Sequence, residues 1–427
     1  MGGGTSWDTI KKISNQRFLI PIEMETVTLN RVRIALLNLI IVVSLGAFIR
    51  FQFFSPIKGI NITYLHHAHS HMAFLGWVFM ALFTLIAYLF LSEKRFVDKS
   101  YTYLYYVMQA ANFGMLFTFP FYGYSPWSIA FSSLHTISAV IFTIILISDL
   151  KKEYVNENWP MSIKFIISGL VFIIISNFAP FALGPITSIY GKSDAYYLLV
   201  NFYLHFQYNG WFTFAILGVV LKVIESYGLD TNHLFVKRGF MLKMISIFPA
   251  FGISVLATKP EIVWHWVSIS ATVIQSIGLL YLIVFALNSY RQIMSNSRPI
   301  LLLLLAIGGL SLLLQHILQV FGSMPFAVDL LINRQIVIAY LHLVFVGFAT
   351  SLLLYQFINL GFFKVNILLR FGVILFLLSF GITEVILVVR SKVVDSNLWL
   401  FQLAIMQLLG ILFIVSQIKM RASFHVT

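Results

Sequence analysis

The sequence predicts an all-α, polytopic membrane protein of twelve transmembrane helices, and three observations carry that prediction. Of 427 residues, 59% are hydrophobic and only 10% charged, against about 25% charged in a soluble domain whose surface must stay in water. The mean hydropathy is +0.91. Apolar runs of roughly 20 residues, enough to cross a hydrocarbon core, recur along the whole chain. Backbone groups in lipid must be satisfied within their own segment, so these runs are helices.

In order they cover residues 32–54, 64–91, 101–121, 127–149, 162–184, 196–224, 239–257, 263–287, 299–321, 335–358, 367–389 and 397–418. Short polar or Pro/Gly-bearing connections separate them, such as Ser92 to Ser100 (SEKRFVDKS) and Tyr190 to Asp194 (YGKSD). The domain division is a polar lead at 1–30, one twelve-helix membrane domain at 31–420 and a short tail at 421–427. The lead shows no basic–apolar–small signal-peptide pattern. Its MGGGTS start fits the myristoylation pattern, which is short enough to arise by chance, and is read as a plain polar start.

The 28 Lys and Arg against 15 Asp and Glu, a net +13, are a statement about topology rather than about a polyanionic partner. Assigned to alternating sides of the twelve spans, 21 cations collect on the side of the two termini. Seven face the other side: Arg50, Lys58, Lys192, Lys259, Arg334, Arg390 and Lys392. Both termini are therefore expected in the cytoplasm, and no nucleic acid is expected as a partner; the only surroundings implied are lipid. The chain has no Cys, which removes disulfides, thiolate metal sites, iron–sulfur clusters and covalently attached haem from consideration.

The eleven His residues are the informative feature, because ionisable side chains in membrane helices are costly and usually functional. His66, His67, His69 and His71 open helix 2; His135 lies in helix 4, His205 in helix 6 and His342 in helix 10. The last three fall roughly 12–15 Å below the outer surface at 1.5 Å per residue. His316 reaches the same outer third from helix 9, and His265 sits at the outer mouth of helix 8. A single membrane His often does no more than join two helices by a hydrogen bond, and His135 and His316 are read that way. Several helices presenting imidazole at one depth suit an embedded metal or haem.

Helices 2 and 10 share a hexapeptide. His71 to Gly76 (HMAFLG) and His342 to Gly347 (HLVFVG) both read His-[Met/Leu]-x-Phe-x-Gly. His and Phe three apart lie on one helical face, and the Gly allows close approach of a flat ligand or another helix. A haem clamped between two His would use this arrangement. Within helix 2, His71 is favoured as the ligand by the motif, with His67 on the same face second; His66 and His69 share a different face. Arg50, Arg390 and Lys392 lie at the surface where propionates would need cations.

This layout resembles the haem–copper oxidase superfamily, in particular subunit I and the large subunit of membrane nitric oxide reductases. The resemblance covers most of the chain in layout and only short stretches in sequence. It implies a subunit I-like bundle, with His71 (or His67) and His342 holding a low-spin haem b. It implies His205, in HFQYNGWFTF, as a ligand of an active-site copper or iron, and Arg390 and Lys392 as the propionate pair. The departures are specific. Between helices 7 and 8 the family carries a His-His pair, whereas this chain has only His265, between Trp264 and Trp266; in helix 10 the ligand of the high-spin haem is replaced by Tyr340. A second haem or metal site is thus degenerate, centred on His205, His265 and Tyr340.

The expectation is a haem b-binding membrane protein in electron transfer or acting on a small gas, nitric oxide or oxygen. The resemblance also implies a bacterial inner membrane and a quinol or a small electron-donor subunit as partner. Only Glu384 is a carboxylate well inside a span, so proton pumping is not expected. The alternatives are a non-enzymatic haem or gas sensor or accessory subunit, and, behind these, a twelve-helix secondary transporter, for which no six-plus-six repeat is found.

Overall fold

The structure, a computed structural model, describes residues 22–155, 159–258, 260–295, 298–390 and 393–420. The MGGGTS start, most of the 1–30 lead, the 421–427 tail and Lys392 lie outside the described residues. Among the described residues there are twelve long helical rods. They are α1 (Ile22–Phe54), α2 (Ile62–Phe90), α3 (Lys99–Tyr122), α4 (Pro126–Glu153), α5 (Met161–Tyr190), α6 (Asp194–Ser226), α7 (Leu234–Thr258), α8 (Val263–Asn288), α9 (Pro299–Gly322), α10 (Arg334–Asn359), α11 (Ile367–Val389) and α12 (Ser396–Val415). Eleven are long and apolar enough to cross a membrane. The twelfth, α3, is interrupted by a buried polar stripe of Tyr101, Tyr105, Gln109 and Asn112, which faces the bundle. The described ends of the chain share one face, where Arg33 Nη2 donates to Lys419 O at 2.8 Å.

The rods form three successive groups of four. In each group the first helix packs along the second (α1 on α2, α5 on α6, α9 on α10), and the third and fourth form a pair (α3/α4, α7/α8, α11/α12). Missing side chains set two of these outer pairs. A Cβ on Gly239 would stand 2.8 Å from the Gly278 carbonyl oxygen, and one on Gly372 would stand 2.8 Å from that of Gly410. Backbones approach this closely only where both helices carry Gly.

The second helices, α2, α6 and α10, meet at the centre. Phe74 lies 4.1 Å from Phe345 and 5.9 Å from Phe212, ring centre to ring centre. Trp77 Nε1 donates to Thr350 Oγ1 at 2.8 Å, tying α2 to α10. Each of these three helices widens into π-helical turns directly after a His: Met72–Phe79 after His71, Phe206–Phe212 after His205 and Leu343–Thr350 after His342. A π turn interrupts the i→i+4 ladder and displaces carbonyls from their usual partners. Side chains take them up: Asn38 Nδ2 donates to Gly76 O at 2.7 Å, Thr213 Oγ1 to Tyr208 O at 2.6 Å and Thr350 Oγ1 to Phe345 O at 2.8 Å.

Gly239→Val is expected to force α7 from α8, because the obstruction is backbone. The cost should be about 1–3 kcal/mol, read as a lower thermal midpoint in detergent; the same change at Gly309, which meets nothing within 4 Å, should leave the midpoint near wild type.

Candidate functional site

The His residues fall into three groups, separated by the central helices. The first lies among α1, α2, α10 and α11. His69 Nδ1 donates to the Val42 carbonyl on α1 at 3.0 Å, so its Nε2 lone pair is free in the neutral ring. Gly46 on α1 makes room: a Cβ there would stand 3.2 Å from His69 Cε1. His342 turns its Nδ1 towards Glu384 Oε1 of α11 at 3.5 Å, a contact short of a hydrogen bond. Arg390 donates to Asn397. This group therefore holds one imidazole anchored on α1, a second facing a carboxylate, and the cations Arg50 and Arg390 at the ends of α1 and α11.

His71 and His67 turn the other way. The His71 ring packs 4.4 Å from Phe119, and the His67 ring packs 4.6 Å from Tyr124. His71 Nδ1 donates to His67 O at 2.9 Å. The neighbour of His135 is His71, and the His135 ring meets Phe79 edge to face at 5.1 Å. His69, two positions from His71 and on the opposite face of the helix, is turned to α1 instead.

The third group, among α6 to α10, contains His205, His265, His316 and Tyr340. Both ring nitrogens of His205 and of His316 are already committed. His205 Nε2 donates to the Ile247 carbonyl at 2.8 Å, and its Nδ1 accepts from Asn209 Nδ2 at 3.1 Å. Asn209 Oδ1 in turn accepts from Gln315 Nε2 at 2.7 Å and Gln319 Nε2 at 3.0 Å, and Gln319 also donates to the Tyr340 hydroxyl at 2.8 Å. His265 Nδ1 donates to the Ser323 carbonyl at 2.9 Å. No group of three or more His, Asp or Glu that could hold a metal occurs among the described residues.

No protein-family model matches the sequence, and no curated protein matches it. Among solved structures, a haem–copper terminal oxidase determined as a dimer by cryo-EM superposes with a TM-score of 0.60, covering 93% of this chain and 84% of its own, at 10% identity. The chain has the fold of a haem–copper terminal oxidase. At that identity the shared property is the fold, and the chemistry depends on the side chains present.

Tested against the haem groups that this fold houses, the three regions differ. The His69/His342 region fits: neither ring spends its Nε2, His69 Nδ1 is bonded to the Val42 carbonyl, and cations stand at the surface end. The His205 region does not fit a metal, because both nitrogens of its central imidazole serve hydrogen bonds. Lys392 lies outside the described residues.

One signal in the sequence went further than the two-helix hexapeptide. His205-Phe-Gln-Tyr-Asn-Gly210 repeats the His-to-Gly spacing of helices 2 and 10, with an aromatic residue in the same place. It marks the third central helix and its π turn. Nothing comparable singles out His69, since the four His of helix 2 are divided between two faces.

Asn209→Ala would strand His205 Nδ1 and two amides in a dry interior. The expected loss is about 2–3 kcal/mol, measured as a fall in thermal midpoint, and Asn209→Asp should recover only part of it because it cannot donate to His205.

Proposed function

We propose that the protein is an integral-membrane haem b protein of the subunit I type, holding one haem between α2 and α10 with His69 and His342 as axial ligands, and acting in electron transfer. The carrying observation is that neither imidazole spends its Nε2, His69 Nδ1 being bonded to the Val42 carbonyl and His342 Nδ1 facing Glu384 at 3.5 Å. A haem held there would supply one-electron exchange between ferric and ferrous iron. The Val42 carbonyl fixes the tautomer and direction of the His69 ring, as outer-shell partners of ligating His do, and Glu384 would take the same part for His342. Arg50 and Arg390 provide the charge for the propionates.

Two imidazoles that would both be spent on one haem suit it to electron transfer rather than to reduction of oxygen or nitric oxide. The engaged nitrogens of His205 and the Tyr340 hydroxyl held by Gln319 support the same preference. The protein is proposed not to pump protons; turnover-linked acidification by reconstituted vesicles would refute this. A quinol or a small electron-donor subunit is the proposed source of electrons, and a bacterial inner membrane with cytoplasmic termini the proposed location.

The full-length protein expressed with haem available should show reduced-minus-oxidised haem b bands. These bands should disappear in His69→Ala and in His342→Ala and persist in His71→Ala. Bands that vanish in His71→Ala and persist in His69→Ala would return the helix 2 ligand to His71, and bands indifferent to His342 would sink the reading. Glu384→Gln should raise the midpoint potential, because a negative charge that stabilises the ferric state is lost; an equilibrium redox titration reads the shift.

A further inference from the structure

A lysine lies inside the third group of helices with no acid beside it. Lys243, on α7, and His316, on α9, are both buried, at 1% and 2% exposure. Lys243 Nζ stands 2.9 Å from His316 Nε2, while His316 Nδ1 donates to the Leu312 carbonyl at 2.9 Å. His316 is therefore a neutral imidazole whose Nε2 accepts from the amine. No carboxylate pairs with Lys243 among the described residues. A permanent ammonium in such a place would carry a large desolvation cost.

Two polar stripes lead from the pair to the face opposite the chain ends. On α8 they are Ser268, Thr272 and Gln275, spaced four and three apart; on α9 they are His316, Gln319 and Ser323, spaced three and four apart, and all six side chains are buried. Ser323 Oγ lies 3.4 Å from Thr272 Oγ1 across the seam. At the top, His265 lines an open pocket of about 330 Å³ with Leu256, Pro260, Phe326 and Asp329. At the bottom, the amide oxygens of Gln275, Gln315 and Gln319 are buried without a hydrogen-bond partner, although buried acceptors are normally satisfied. Below Lys243 the seam ends: Gly239 and Gly278 bring the backbones together, and Val236, Leu279, Leu282 and Leu304 fill the space.

We propose that Lys243, hydrogen-bonded to His316, is an internal proton acceptor loaded through the α8/α9 seam from the face opposite the termini and closed to the other face. The step is a simple addition: the amine lone pair takes one proton from water at the pocket, giving an ammonium. The ammonium donates to His316 Nε2. The titratable groups on the helices around it are His205 and Tyr208 on α6 and Tyr340 on α10, and His265 and Asp329 line the pocket at the mouth of the seam. On α5 there is only Lys164 near one end, and on α7 itself only Lys237 and Arg238 near its start. Asp329, on the pocket wall, is the one acid of this set, and no ion pair joins it to Lys243 among the described residues.

The use of such a site, which rests on the haem reading, is charge compensation. Helix α9 packs on the π turn that begins directly after His342, and charges in this medium are weakly screened. One electron delivered to the His69/His342 site draws one proton onto Lys243. The seam has one entrance, so this is uptake without transport across the bilayer.

Two measurements separate the claims. Solid-state nitrogen-15 spectra of lysine-labelled protein in liposomes should contain one Nζ signal missing in Lys243→Met. It should move from ammonium towards amine as the pH of the compartment facing the His265 pocket is raised from 6 to 9, and ignore the pH of the other compartment. A signal fixed as ammonium or as amine throughout, or one responding from the other side, overturns the site whether or not haem is bound. Redox titration of the haem-loaded protein should then give a midpoint that falls with rising pH, by at most about 59 mV per tenfold change in proton concentration for a one-electron couple, and that is flat in Lys243→Met and in His316→Leu. An equal slope in wild type and both variants refutes the coupling. Absence of haem bands refutes the haem reading and leaves the nitrogen signal to decide the site. Thr272→Val should slow loading and leave the end point unchanged, whereas a merely structural Thr272 would affect neither.

Discussion

A backbone carbonyl that leaves the helical ladder inside a bilayer has no water to turn to, and much of this molecule is arranged around that fact. Three central helices widen after a His, and each widening needs partners for displaced carbonyls. Asn38 reaches over from α1 to Gly76, and Thr213 and Thr350 fold back five residues along their own helices. These bonds fix the rotation of α2, α6 and α10, which decides where His69, His205 and His342 point. The anchoring of the rings follows the same rule, since His69 and His205 spend a nitrogen on carbonyls of neighbouring helices.

The two His clusters use their imidazoles differently. Around His69 and His342 the Nε2 atoms are unspent, with a carboxylate and cations nearby. Around His205, amide and backbone contacts use up the imidazole. Gln315, Gln319 and Asn209 form one connected set with Tyr340, and a network of this kind rigidifies the space where its members are satisfied.

The membrane class, the all-α architecture and the order of the helices were legible because they depend on composition and segment length, and the oxidase-like layout followed from the order of the His along the chain. The start of the first helix was not: it begins at Ile22 rather than at 32, inside the stretch read as a polar lead. Nor was it legible which neighbour each His of helix 2 meets. His66 and His69 share one face and His67 and His71 another, and the features that meet His69, Gly46 and the Val42 carbonyl, belong to α1 and come into play only through packing. His316 read as a lone interhelical group because its partner, Lys243, is 73 residues away in sequence. The same applies to Asn209, whose three hydrogen bonds run to His205 on its own helix and to Gln315 and Gln319 on α9.

The central helices also bear on how the chain enters the bilayer in the first place. Of the eleven strongly apolar spans α6 is the least apolar, and its polar residues, among them His205, Gln207, Asn209 and Thr213, all find partners on neighbouring helices or in their own backbone. Alone in lipid it would present several of these groups unpaired. Its insertion is therefore tied to the presence of α5 beforehand and α7 soon after, so the translocation machinery must release these helices together rather than one by one. The glycine crossings of α7/α8 and α11/α12, by contrast, allow those pairs to leave as finished hairpins. Biogenesis would then proceed by rigid outer hairpins closing around late-settling central helices, with cofactor loading confined to the interval before they close.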